Sequence, residues 1–203
     1  MTTARVSPVS ADTADPELAA VFDVFRNAGR DVPLLYRTLA KAPAMLNAWT
    51  SLAWPLRQEA VSPRGLRELL IMRVAQLTAA PFEWVAHWDM ATKHGISVEQ
   101  LEELGRWRES TRFSTDERAA LAVTDELTLE REVTDQTWAA LAERFSEGEL
   151  VELVLTISFY SCVSRVLHGL QLQAVDEADP RLAALTAGAP TGAAGESSSQ
   201  PSA

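Results

Sequence analysis

The chain has 203 residues, a hydrophobic fraction of 47% and a formal net charge of −10. That length can bury one sizeable core, and an acidic balance with no Lys/Arg run excludes a binder of phosphate backbones, which needs a basic patch. A lone cysteine, Cys162, excludes an internal disulfide.

Met1 to Pro8 lacks an apolar signal core. The strongly apolar runs read as much shorter than a membrane span. The expectation is a cytoplasmic protein with no membrane or nucleic-acid partner.

Helical patterning dominates from the front of the chain. Residues 1–14 read as an N-terminal segment, and 15–180 as one all-α domain. Asp15 caps a first helix, with Pro16 in its first turn, running to about Ala28. A second spans about Pro33 to Lys41. Pro43 opens a third, carrying Met45, Leu46, Trp49, Leu52 and Trp54. Ser62-Pro63 begins a fourth, to about Ala79, and Pro81 a fifth, ending at Gly95. Ser97-x-x-Gln100 and Ser114-x-x-Glu117 are capping boxes that start the sixth and seventh. Thr134 or Asp135 caps an eighth, to about Phe145. A ninth runs from Ser146 to about Val175. No strand pattern occurs, so the fold class is all-α, a bundle of eight or nine helices. From Ala187 the chain is Gly, Ala, Ser and Pro, and 187–203 reads as a disordered tail.

The fourth segment is apolar all round its axis, from Leu66 through Leu77, as in a buried helix. Arg67, Glu68 and Arg73 are therefore charges on a buried element and need partners. One reading pairs Glu68 with Arg67 or Arg73. The other gives Glu68 a catalytic role.

On the fifth helix Glu83 and His87 are four residues apart, about 40° around the axis. Met90 and His94 continue that stripe, and Trp84 and Trp88 lie together beside it. Glu83 sits in the first turn, where free N–H groups favour a carboxylate. His87, mid-helix and flanked by apolar residues, can hold or relay a proton near neutral pH. His94 precedes Gly95 and reads as a partner of the helix C-terminus. Trp49, Trp54, Phe82, Trp84 and Trp88 could wall an apolar pocket or simply fill core. No metal-ligand spacing, phosphate-binding glycine loop or G-x-S-x-G occurs, so no metal or other cofactor is expected. Cys162 reads as a buried, inert thiol.

These residues resemble the carboxymuconolactone decarboxylase family, which also holds alkyl hydroperoxidase D. The likeness is carried by Arg67-Glu68-Leu69-Leu70-Ile71, Phe82-Glu83-Trp84-x-x-His87 and Gly95-Ile96-Ser97, and extends over about residues 15 to 175. The peroxidase branch uses a C-x-x-C pair, where this chain has Ala80 and Glu83. The resemblance is thus to the cysteine-free branch, and implies Glu68 and His87 as acid and base; Glu83 joins them as a catalytic candidate through its helical spacing from His87. The resemblance also implies an alkyl-hydroperoxidase-D-like bundle assembled as a trimer or hexamer, a dimer being open, with the pocket near a subunit interface.

Two functions from different classes follow. One is a cofactor-independent lyase or isomerase acting on a small lactone, enol or β-keto carboxylate, with Arg67 binding the substrate carboxylate and Trp54, Phe82, Trp84 and Trp88 around it. The other is a non-catalytic ligand-binding or assembly protein of the same fold. A thiol-independent antioxidant homologue is a third, lesser option.

Overall fold

The computed structural model of the chain describes residues 4–172 and 175–187. Among them are ten α-helices and no strand. They are α1 (Pro16–Asn27), α2 (Leu34–Leu39), α3 (Pro43–Gln58), α4 (Arg64–Leu77), α5 (Pro81–Lys93), α6 (Val98–Glu103), α7 (Thr115–Leu129), α8 (Asp135–Ala142), α9 (Glu147–Leu170) and α10 (Leu182–Thr186). One 3-10 turn, Leu104–Arg106, follows α6.

The helix starts are where local chemistry puts them. Asp15 Oδ1 accepts from the backbone N–H groups of Glu17 and Leu18, at 3.0 and 3.3 Å. Ser97, Ser114 and Ser146 each close a reciprocal capping box with a Gln or Glu three residues on. Pro16, Pro43 and Pro81 occupy the first turns of α1, α3 and α5, where a missing N–H costs nothing. The ninth helix stops at Leu170, short of the expected Val175, because Gln171 turns left-handed at φ 56°.

α4 is the axle of the bundle. It packs against α5, α7 and α9, and every residue from Leu66 to Gln76 is buried. Its charges are answered one by one, though by other groups than the sequence pairing proposed. Arg73 forks onto Asp125 of α7, with Nε 2.6 Å from Oδ1 and Nη2 3.1 Å from Oδ2. Arg67 turns into the α3–α4 link, donating to the Ser62 hydroxyl at 3.0 Å and to the carbonyls of Ser62 and Ala60. Glu68 meets neither arginine. Its partners are Arg64 and His87.

The packed chain continues past residue 180. Ala184 and Leu185 of α10 are buried, and Gln76 of α4 donates to the Ala184 carbonyl at 3.1 Å. The tail expected from residue 187 lies, after Ala187, outside the described residues.

Two expectations about α9 are corrected. By length and composition it could cross a membrane, yet 56% of its most apolar window is buried within the bundle. Its apolarity therefore belongs largely to the core. Cys162 is exposed rather than buried. It lies on an outward stripe with Val151, Leu155 and Ser158, spaced three and four residues apart.

Gly65 fixes how closely the start of α4 approaches the end of α5. A Cβ there would sit 2.4 Å from the backbone oxygen of His94. Gly65→Ala should therefore cost about 1–3 kcal/mol by overpacking. A lowered urea midpoint with an unchanged m-value is the expected result.

Candidate active site

Glu68 on α4 and His87 on α5 face each other because the two helices form a hairpin. The turn between them is tight, with Ala79 in the left-handed region at φ 49° and Pro81 restarting the helix. His87 Nδ1 is 2.7 Å from Glu68 Oε2, and His87 Nε2 is 3.0 Å from Glu83 Oε1. One imidazole thus bridges two carboxylates. All three side chains are buried, Glu68 at 0% exposure. The other oxygen of Glu68 is held by Arg64, which also donates to the Arg57 carbonyl at 2.7 Å.

The electrostatics follow from this sandwich. Burial works against the imidazolium, but Glu68 and then Glu83 favour it, and the His87 pKa rises to about 9. Burial would raise Glu68. His87, Arg64 and Arg57 outweigh it and hold the carboxyl below its ordinary range. At neutral pH His87 is a cation beside an ionised Glu68.

The group opens on a cavity of about 360 Å³. Glu83 and His87 line it, while Glu68 lies behind His87 and does not. Phe25, Tyr36, Trp54 and Phe82 form the apolar wall, and Arg30, Arg57 and Arg64 bring positive charge.

The sequence-derived set therefore divides. Glu83, His87, Trp54 and Phe82 reach the cavity, and Glu68 reaches it through His87. Arg67 does not line it, so the expectation that it binds substrate is corrected. Trp84 is fully buried core and donates to the Arg181 carbonyl at 2.8 Å. Trp88 borders a separate hollow beside α10. His94, the C-cap of α5, joins the cavity lining.

Sequence reasoning missed Arg57 and the tyrosines. The chain has two tyrosines, and both hydroxyls accept from Arg57: Tyr160 from Nε at 3.1 Å and Tyr36 from Nη1 at 2.7 Å. A signal was present, since Arg57 is the sole charge in α3. Among the described residues, no cluster of three or more His, Cys, Asp or Glu is arranged to hold a metal ion.

The raised His87 pKa has a sign for stability. The folded protein keeps a proton that the unfolded imidazole, with a pKa of about 6.5, releases. The resulting stability is complete below about pH 6.5 and is lost as pH rises through about 9. Urea midpoints should fall over that alkaline window in the wild type. His87→Gln should remove that part of the pH dependence.

A model of the carboxymuconolactone decarboxylase family matches residues 43–126, from the start of α3 through most of α7. The chain is 30% identical over 105 residues to the uncharacterized protein YdfG of Bacillus subtilis (strain 168), covering 51% of this chain and 71% of that protein. The debrominase Bmp8 without ligand superposes with a TM-score of 0.74 at 20% identity, over 89% of this chain and 95% of that one. An alkylhydroperoxidase AhpD core protein of Ralstonia eutropha JMP134 gives a TM-score of 0.74 at 18% identity, over 87% and 95%. At those identities the two structures share the fold alone. The matched span holds Glu68, Glu83 and His87 together, and with the YdfG likeness it shows that the chain belongs to the carboxymuconolactone decarboxylase family.

Proposed function

We propose that the protein is a cofactor-independent lyase or isomerase that moves protons on a small lactone, enol or β-keto carboxylate. The observation that carries this reading is the buried chain Glu68–His87–Glu83 ending at a cavity. Glu83, which faces the cavity, exchanges protons with substrate carbon. His87 supplies or stores the proton through Nε2. Glu68, out of reach of substrate, orients the ring through Nδ1 and keeps it charged.

In an isomerisation, Glu83 takes a proton from the carbon beside a carbonyl and returns it at the vinylogous carbon. In a decarboxylation, the carbon–carboxylate bond breaks, CO2 leaves and its electron pair forms a dienolate. A proton passing from His87 to Glu83 then reaches the dienolate carbon. Neither route needs a thiol. The family takes its name from a decarboxylase, which supports the chemistry without naming this chain's substrate.

The same reading extends to self-association in the cytoplasm. Met45 and Leu52 of α3, with Val151 and Leu155 of α9, are exposed apolar residues that a second copy would cover. Sedimentation at micromolar concentration should give a homo-oligomer, and Leu155→Lys should shift it toward monomer. A strict wild-type monomer counts against this extension.

For the chemistry, the protein is incubated in D2O with a panel of unsaturated lactone acids and β-keto acids. Loss of CO2 or uptake of deuterium at carbon is followed by NMR. Glu83→Gln and His87→Ala should each lower the rate by about 10²–10⁴-fold with the helical circular dichroism unchanged. Cys162→Ser should leave it unaltered. Saturable binding without turnover across the panel would favour a binding protein instead.

A further inference from the structure

We infer that Arg57, together with Tyr36, is the seat for the anionic group of the ligand; this rests on the cavity being the substrate site. A guanidinium carries five donors and does not lose its charge. In Arg57 two nitrogens are committed to neutral phenol oxygens, Tyr160 and Tyr36. Among the described residues the third, Nη2, donates to no protein atom and Arg57 has no ion pair, although it is half-buried and lines the cavity. A half-buried cation with an open donor facing the cavity is suited to a carboxylate there.

The phenols add to the same seat. Each accepts a hydrogen bond from Arg57 and so keeps its own O–H to give. Burial raises the pKa of Tyr36 against the pull of Arg57, so this hydroxyl stays protonated in the neutral range. Tyr36 lines the cavity beside Arg57 and can donate to an oxyanion there.

Charge count and shape agree with this. Three arginines and one carboxylate, Glu83, line the cavity of a chain whose net charge is −10. Arg64 is paired with Glu68, but Arg30 and Arg57 still outnumber Glu83 in the lining, which favours an anion there. Trp54 stacks on Tyr36, with ring centroids 5.7 Å apart at 15°, and the Arg57 guanidinium lies 5.6 Å from the Trp54 ring centroid. The seat thus adjoins a flat aromatic wall, so the ligand is a carboxylate on a planar, unsaturated body. Its anion sits at Arg57 and its reacting carbon at Glu83.

The test reads binding, not turnover. Benzoate and its neutral isostere benzamide are titrated against intrinsic tryptophan fluorescence, to which Trp54 at the cavity contributes among six tryptophans. Benzoate should bind at least about tenfold more tightly than benzamide, a factor within the worth of one charge-assisted hydrogen bond. Arg57→Met should abolish that preference, Arg57→Lys should keep part of it, and Glu83→Gln should leave it intact or increase it. Equal binding of the two probes, no saturable benzoate signal, or an undiminished preference in Arg57→Met would each overturn the inference. The benzoate–benzamide comparison needs only wild-type protein, so it stands if Arg57→Met does not fold. The two proposals fail separately. Glu83→Gln retaining activity sinks the acid–base reading and leaves the seat, whereas an inactive Glu83→Gln with no benzoate preference in the wild type does the reverse.

Discussion

Glu68 places a full negative charge at a position with 0% exposure in the helix around which the bundle packs. Such a charge is tolerated only if partners surround it. Arg64 answers it from one turn earlier on the same helix, and His87 from the neighbouring helix. The second partner has a consequence the first lacks. An imidazole held by Glu68 on one nitrogen and beside Glu83 on the other cannot rotate or lose its proton cheaply. The raised His87 pKa is therefore a product of the α4–α5 packing as much as of the three residues. Gly65 and the left-handed Ala79 are part of the site in this sense, because they set how closely the two helices lie.

Glu83 occupies a position where the peroxidase branch, by resemblance, carries a cysteine. A thiol there gives redox chemistry. A carboxylate gives a base that cannot be oxidised under the same conditions, and it adds a second charge against the histidine. That substitution converts the histidine from one with a single acidic neighbour into one with two. The neighbour in the cavity is the one placed to exchange protons under the proposed function, while the neighbour behind favours the charged ring. Cys162 offers no replacement for the missing thiol, since it lies on the outward stripe of α9 and outside the cavity lining.

The helices were legible because their ends are local chemistry. Asp15, Ser97, Ser114, Thr134 and Ser146 cap by contacts within three residues, and the sequence shows them directly. Glu83 and His87 were legible for the same reason, as an i, i+4 pair. What crosses between elements was not. The sequence required partners for Arg67 and Arg73 but could not say that one would take Asp125, fifty-two residues away, and the other the link before its own helix. Nor could it distinguish Trp54, at the cavity, from Trp84, sealed in the core under Arg181. α10 is five residues long and gives too short a period to read, although its last residues close the core beside Gln76. Cys162 was misplaced because an apolar helix of twenty-four residues reads as buried throughout, while the side it leaves bare depends on which neighbours are present.

Arg57 completes the physical division of the cavity. At one end a cation is already neutralised by carboxylates: His87 is spoken for by Glu68 and Glu83. At the other a cation rests on two phenol oxygens and, among the described residues, has no carboxylate in direct contact. On the proposed reading, a negatively charged ligand would be drawn to the second end and repelled by Glu83 at the first. Such a gradient would orient a small molecule without any contact to its middle, which needs only the flat apolar wall of Trp54, Tyr36 and Phe82. Orientation by charge at both ends is economical for proton transfer. It would present one particular carbon to the proposed base while leaving the rest of the ligand free to change hybridisation.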